Sequence, residues 1–298
     1  MAPPVGPFFR YALSKNQPPG APPPPAVQKL RLRYTKRGRL RFTSHRDIAR
    51  AFERALRRAD VPMAYSAGFS PHPKISWVGA APTGVASEAE YVEISLTRRV
   101  DPDLLRAALD ASLPDGIDVV EVVEARSAPG SDPAAAPGAG NNLADRVEAS
   151  HWSVRLPGVA LADAARAVGA FLSRDQVTVS RLTKAGLREI DARRAVVSLQ
   201  ARHDVGPPSC ATLDMVLRHV TPAVRPDDVL AGLRSVADLV TPVPPAATRL
   251  SQGPLIGDNE VADPFAPDRA TLDHSVPEGV TRQDDEVVGA RPEGSPHG

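Results

Sequence analysis

Prolines gather into clusters, and their positions separate the segments of the chain that can fold from those that cannot. The 298 residues include 32 prolines, well above the usual ~5%. They concentrate at residues 17–25, in the Ala/Pro/Gly/Ser-rich stretch 127–141 and in the Pro/Gly/Asp-rich stretch 253–298. Such stretches bury too little apolar surface to offset the entropy lost on ordering the chain. We therefore predict a disordered leader at 1–27, a linker at 127–149 and a disordered acidic tail at 253–298.

Between these clusters, residues 28–126 carry the hydrophobic periodicities of strands and helices in alternation. Residues 30–34 alternate apolar and polar side chains, as a half-buried strand does. From residue 48 to residue 59 the apolar side chains fall on one face of a helix. A second helix is predicted to begin at Asp101 and Pro102. Further strands are predicted at residues 63–65, 75–78, 91–96 and 117–123.

This β-α-β-β-α-β order is that of a ferredoxin-like domain. A similar order recurs after the linker, in residues 150–252, with strands and helices of comparable length. The predicted fold is therefore α+β, with two tandem ferredoxin-like domains at 28–126 and 150–252. The first of them carries a basic surface.

Cysteine and histidine usage excludes several classes of enzyme. Cys210 is the only cysteine, so the chain cannot form an internal disulfide or hold an iron–sulfur cluster by three or four cysteines. The seven histidines are dispersed without the paired spacing of a structural zinc site. We therefore predict no metal and no cofactor in this chain.

No apolar run approaches the ~20 residues of a membrane span. The first 25 residues contain Phe8, Phe9 and Tyr11 but lack the apolar core of a signal peptide. These two observations predict a cytoplasmic protein with no membrane partner.

The net charge of +1 conceals a strong asymmetry along the chain. Residues 29–58 contain twelve Lys and Arg against two acids, or +10, whereas residues 258–298 contain ten acids against three arginines, or −7. When several basic side chains neutralise phosphates, counterions are released. The basic segment 29–58 therefore favours binding of a polyanion.

The basic segment supplies the first candidate binding site, made of a turn and the helix that follows it. On the helix the arginines recur at spacings of three and four, opposite the apolar face. The candidate residues are Lys36, Arg37, Arg39, Arg41, Arg46, Arg50, Arg54, Arg57 and Arg58. The alternative is a solvated arginine face without a ligand.

A glycine- and proline-rich loop supplies the second candidate site. Pro71 and Pro73 restrict its backbone, and its side chains offer stacking, hydrogen bonding and charge to a nucleotide. The candidate residues are Gly68, Phe69, Ser70, His72 and Lys74. The alternative is a rigid turn that only joins two strands.

The third candidate is His45, in the sequence Ser44-His45-Arg46-Asp47 at a helix start. Ser44 and Asp47 are explained by capping, and His45 could contact a phosphate at the positive end of the helix dipole. Catalysis would need a positioned partner group, which spacing does not supply. We therefore assign no catalytic residue, and His45 stays a candidate for binding.

Two long stretches carry a family resemblance. Residues 34–77 (YTKRGRLRFTSHRDIARAFERALRRADVPMAYSAGFSPHPKISW) and 84–96 (GVASEAEYVEISL) resemble the radical SAM-linked protein family, a bacterial domain of unknown function. The resemblance extends more loosely over VSRLTKAGLREIDAR and RPDDVLAGL, and so over about residues 28–252. In that family the domain is either fused behind a radical SAM enzyme or a separate protein. The absence of a CxxxCxxC run here implies the separate form, with a radical SAM enzyme as partner.

Three functions remain open from the sequence. The first is a non-catalytic accessory module that binds RNA, with tRNA as one candidate, and presents it to the radical SAM enzyme for modification. The second is a scaffold whose basic face docks that enzyme. The third follows from a similarity of element order to the RAMP-type RNA-binding domains of CRISPR RNA processing: a metal-independent endoribonuclease using His45 or His72.

Overall fold

The computed structural model of the chain describes residues 23–67, 70–126, 142–183, 186–204, 210–257 and 259–269. The fold is mixed α+β, as predicted. Residues 1–22 of the predicted leader, 127–141 of the predicted linker and 270–298 of the predicted tail lie outside the described residues.

The described residues of the first half form a four-stranded part of the sheet and two α-helices. They are β1 (Gln28–Lys36), α1 (His45–Arg58), β2 (Ile75–Val78), β3 (Ala86–Leu96), α2 (Pro102–Asp110) and β4 (Val119–Glu124). Antiparallel pairing gives the strand order β4-β1-β3-β2. Alternate residues of β1, Leu30, Leu32 and Tyr34, pack under the helices. We call the opposite side of this sheet the rear face.

The second half repeats this strand order with an inserted hairpin. Its elements are β5 (Ala149–Leu156), α3 (Leu161–Leu172), β6 (Thr178–Thr183), β7 (Gly186–Asp191), β8 (Val196–Asp204), β9 (Cys210–Arg218), α4 (Pro226–Ala237) and β10 (Ala246–Gly253). The antiparallel order is β10-β5-β9-β8, and β6 pairs with β7 alone. Trp152, Val154, Leu213 and Met215 face the core on the helix side.

One sheet joins the two halves. The first residues of β3 pair in parallel with β10, through Ala86 with Thr248 and Ser87 with Arg249. The last residues of β3 pair with β2 on that same edge. The two halves therefore keep separate hydrophobic cores but share a continuous sheet, which the expectation of two tandem domains did not include.

The described part of the linker is ordered. Asn142 caps a short 3-10 turn over Leu143–Arg146, and Leu143 and Val147 are buried against the rear face of the first half. The linker predicted for 127–149 therefore ends earlier than expected, because these apolar side chains find a core.

The prediction of a disordered tail is wrong for residues 254–257 and 259–269, which the structure describes. This part forms β11 (Leu255–Ile256), β12 (Glu260–Val261) and α5 (Ala266–Arg269). Phe265 is fully buried, with its ring centroid 5.1 Å from that of Tyr91. Composition alone predicted the tail, and it does not reveal that Phe265 is buried or that Asp268 and Arg269 pair with Arg31 and Glu121.

The hydrophobic pattern of the sequence also predicts an extended segment at residues 40–42 and one strand over residues 188–201, and both predictions are wrong. Residues 40–42 belong to a 3-10 turn over Gly38–Phe42. A turn at Arg193–Ala195 divides residues 188–201 between β7 and β8.

Among the described residues, no helix has both the length and the apolar composition to cross a membrane.

Candidate functional site

Helix α1 is the element that organises the first candidate site. Ser44 caps it, with its Oγ accepting a hydrogen bond from the Asp47 backbone amide. Its apolar face, including Ile48 and Phe52, is buried. Because the helix repeats every 3.6 residues, the residues between the apolar positions lie on the opposite face, which is exposed to solvent.

Four arginines form a row along that exposed face. We call them the arginine row: Arg46, Arg50, Arg54 and Arg57, all exposed. Arg50 lies 3.6 Å from Asp47, and both side chains are more than half exposed, so this pair contributes little. The other three make no ion pair or side-chain hydrogen bond within the described residues. Their charge is therefore available to a ligand.

Lys36 and Arg37, which precede α1, do not extend the arginine row. Lys36 is buried, and its Nζ donates to the carbonyl oxygens of Ala81 and Pro82, at 3.4 and 3.0 Å. Burial lowers the pKa of Lys36, although the nearby Glu90 opposes this. Lys36 thus lies inside the fold and not on the predicted surface.

Arg37 is neutralised by carboxylates. It pairs with Glu88 and, through Nη1, with Asp118 at 3.0 Å. The hydrogen bond to Glu88 is the main reason that the pKa of Arg37 is raised. A phosphate at Arg37 would compete with two carboxylates already in place.

The remaining basic candidates differ in their surroundings. Arg39 is exposed. Arg41 is partly buried, and its guanidinium lies over the ring of Phe42, 4.6 Å from the centroid. Arg58 donates from Nη1 to the carbonyl oxygen of Ser112 at 3.0 Å. Of the predicted turn-and-helix site, the arginine row, Arg39 and Arg58 therefore stay exposed, whereas Arg41 is partly buried.

The glycine- and proline-rich loop is described only in part, because Gly68 and Phe69 lie outside the described residues. Ser70, His72 and Lys74 are exposed. The loop closes on itself, with the Ser66 amide donating to the His72 carbonyl at 2.8 Å and the His72 amide to Ser66 Oγ at 3.0 Å.

His45 packs against an aromatic cluster. Its ring stands edge-on to Trp77, with centroids 5.1 Å apart at 86°. Trp77 in turn contacts Tyr34 and Phe52. His45 itself remains exposed, so it combines a packing role with an accessible ring edge.

Sequence reasoning missed a polar pocket on the second half. The pocket has a volume of about 340 Å³ and lies between β5, β8 and β9 and the β11–β12 hairpin. His151 Nε2 lies 2.9 Å from Asp214 Oδ1 at its wall, and Arg202 lies 3.8 Å from the same carboxylate. Ser198 and Glu260 also line it. One signal could have found it: Asp214 is a charged residue in the middle of an apolar strand.

The pocket and the arginine row lie on different halves of the molecule. Within the part of the chain that the structure describes, no three His, Cys, Asp or Glu side chains come together as ligands for a metal ion.

Within the described residues the fold is mixed α+β, with one eight-stranded sheet that runs through both halves. A family model described as an uncharacterized protein conserved in bacteria (DUF2344) matches residues 29–226. The chain belongs to this family. No curated protein matches it.

Several solved structures match most of this chain at low sequence identity. DyPB from Rhodococcus jostii RHA1 is 14% identical, with 71% of this chain and 84% of that chain covered and a TM-score of 0.21. The dye-decolorizing protein from V. cholerae is 11% identical, with 77% and 93% covered and a TM-score of 0.20. Ferric DtpA from Streptomyces lividans is 12% identical, with 79% and 89% covered and a TM-score of 0.22. TM-scores this low carry no argument about fold or function.

Proposed function

We propose that this protein is a non-catalytic RNA-binding module, with tRNA as one candidate ligand. The observation that carries the proposal is the arginine row, in which four exposed guanidiniums share one helix face and, among the described residues, only Arg50 makes an ion pair. Like charges at helical spacing destabilise a helix slightly. Phosphates of a bound strand would relieve that repulsion.

The partner in this proposal is a separately encoded radical SAM enzyme, to which the module presents RNA for modification. The support for this partner is the resemblance of residues 34–77 and 84–96 to the radical SAM-linked family. We further propose that each half is a ferredoxin-like unit, supported by the strand orders β4-β1-β3-β2 and β10-β5-β9-β8.

The test is binding of RNA across a series of salt concentrations. Four phosphate contacts on a single strand give a slope of log K against log salt of roughly −3. In the double variant Arg50→Glu/Arg54→Glu we expect the slope to flatten by about 1.4 and the affinity at low salt to fall about tenfold or more.

A matched control reverses two exposed arginines elsewhere. Arg174 and Arg234 lie on the second half, and both are exposed. The variant Arg174→Glu/Arg234→Glu has the same net charge as the test variant, so we expect its salt slope to match the wild type. If both variants lose affinity equally, the arginine row is not the site.

Two other outcomes would replace the proposal. If the wild type shows no salt-dependent RNA affinity, but charge reversal at Arg50 and Arg54 abolishes co-purification with the radical SAM enzyme, the scaffold function is favoured. If RNA is cleaved, and His45→Ala/His72→Ala stops the cleavage, the protein is an endoribonuclease.

A further inference from the structure

We infer that the RNA bound by this protein is single-stranded and that one of its bases stacks on Phe42. This inference rests on the proposed function and names the form of nucleic acid that the same site accepts. Phe42 is 59% exposed, whereas Phe52, Phe171 and Phe265 are at most 1% exposed. Phe42 thus offers an accessible aromatic ring where the other described phenylalanines are buried.

The Phe42 ring already carries one stacked cation. The Arg41 guanidinium lies 4.6 Å from its centroid, and the Arg41 Nε is buried without a hydrogen-bond partner among the described residues. Aromatic rings and guanidinium planes are the two surfaces on which unpaired bases stack. Because most of Phe42 remains accessible, a base can add to this pair.

The backbone around Phe42 is held by hydrogen bonds. Gly84 donates its amide to the Arg41 carbonyl at 2.7 Å, and Thr43 donates to the Leu40 carbonyl at 2.9 Å. Phe42 therefore lies on a fixed turn, and a bound base would not have to order a loop. Stacking on a fixed ring retains more of its free energy.

Phe42 also precedes Arg46, the first member of the arginine row, by a short distance along the chain. Arg46 follows Phe42 by four positions, so their Cα atoms are at most about 14 Å apart. One strand can therefore place a base on Phe42 and its following phosphates along α1. In a duplex the bases are stacked inside the helix and cannot reach the ring, which is why the geometry selects a single strand.

The experiment measures fluorescence anisotropy of a labelled oligouridine and of the same length of RNA duplex. We expect Phe42→Ala to weaken binding of the single strand between about fivefold and 100-fold, with the salt slope unchanged. Phe42→Trp should restore the affinity. The matched control is Leu182→Ala, which removes an apolar side chain that is 79% exposed on the second half and should have no effect.

The outcomes separate this inference from the proposed function. Salt-dependent binding that is as tight for the duplex, or that survives Phe42→Ala unchanged, overturns the stacking site and leaves the arginine row in place. An absence of salt-dependent binding in the wild type refutes both. Loss of the single-strand preference in Phe42→Ala, together with rescue by Phe42→Trp, supports the stacking site.

Discussion

His219 is held through both of its ring nitrogens. Nδ1 lies 2.9 Å from the Val147 carbonyl oxygen and Nε2 lies 2.7 Å from Ser150 Oγ. A carbonyl only accepts hydrogen bonds, so Nδ1 carries the proton and Nε2 accepts from the serine hydroxyl. His219 as a whole is exposed, but desolvation of its ring lowers the pKa of His219 below its usual value.

This arrangement predicts a loss of stability in mild acid. The unfolded histidine has a pKa near 6.5, and the folded one titrates lower, so the unfolded state binds more protons between those two values. Stability is therefore full above about pH 6.5 and falls as the pH drops through the folded pKa. We expect urea unfolding at pH 7.5 and 5.5 to show this decrease.

The variant His219→Asn isolates the contribution of this histidine. Its side-chain amide can still donate to the Val147 carbonyl, but it does not titrate. We therefore expect a smaller loss of stability between pH 7.5 and 5.5 than in the wild type. An equal loss in both proteins would assign the acid sensitivity to other groups.

The C-terminal segment 262–269 acts as a strap across the rear face of the first half. Asp268 accepts from the Arg31 guanidinium, with Nη1 2.6 Å from Oδ2, and from Arg146 at 2.7 Å. The side chains of Arg31 and Asp268 are both fully buried, and Glu93 completes the pairing of Arg31 at 2.9 Å. A basic residue of the first strand thus meets an acid of the predicted tail.

Breaking this ionic contact should destabilise the protein strongly. Asp268→Ala leaves Arg31 buried with one fewer carboxylate, so we expect the free energy of unfolding to fall by about 3–5 kcal/mol. Asp163→Ala removes an exposed pair with Arg166 and should cost less than about 1 kcal/mol. Chemical denaturation of both variants makes the comparison. Similar losses in the two would show that the strap is not a structural element.

A buried polar cluster connects the two halves of the molecule. Arg249 on β10 pairs with Glu90 on β3, and both are nearly fully buried. The Gln252 side-chain amide donates to the Ala89 carbonyl at 2.6 Å, and the Gln252 backbone carbonyl accepts from the Tyr91 hydroxyl at 3.2 Å. These contacts span about 160 residues of sequence and reinforce the short parallel pairing of β3 with β10.

We expect this cluster to make the two halves unfold together. The wild type should show one calorimetric transition, and Arg249→Met should separate it into two while lowering stability by about 3–5 kcal/mol. Arg218→Met, which changes an exposed arginine at the end of β9, should leave the single transition within about 0.5 kcal/mol. Two transitions already present in the wild type would show that the halves unfold independently.

The part of the candidate site that lies on α1 could be predicted from the sequence alone. The spacing of Arg46, Arg50, Arg54 and Arg57 places them on one face whatever α1 packs against, because the helical repeat is local. The fates of Lys36 and Arg37 could not be predicted, since they depend on Ala81, Glu88 and Asp118, which other segments bring close. The pocket at His151 and Asp214 likewise requires the register of β5 against β9.

The amino-acid sequence by itself therefore determined the α+β class, the order of most strands and helices, the basic face of α1 and the family resemblance, because these depend on periodicity and neighbouring residues. Only the tertiary structure decided which basic side chains stay unpaired, that residues 259–269 pack on the first half, and that the two halves share one sheet. Burial and pairing across long sequence separations decide those features. The contacts of Arg31 with Asp268 and of Arg249 with Glu90 form only after distant strands meet.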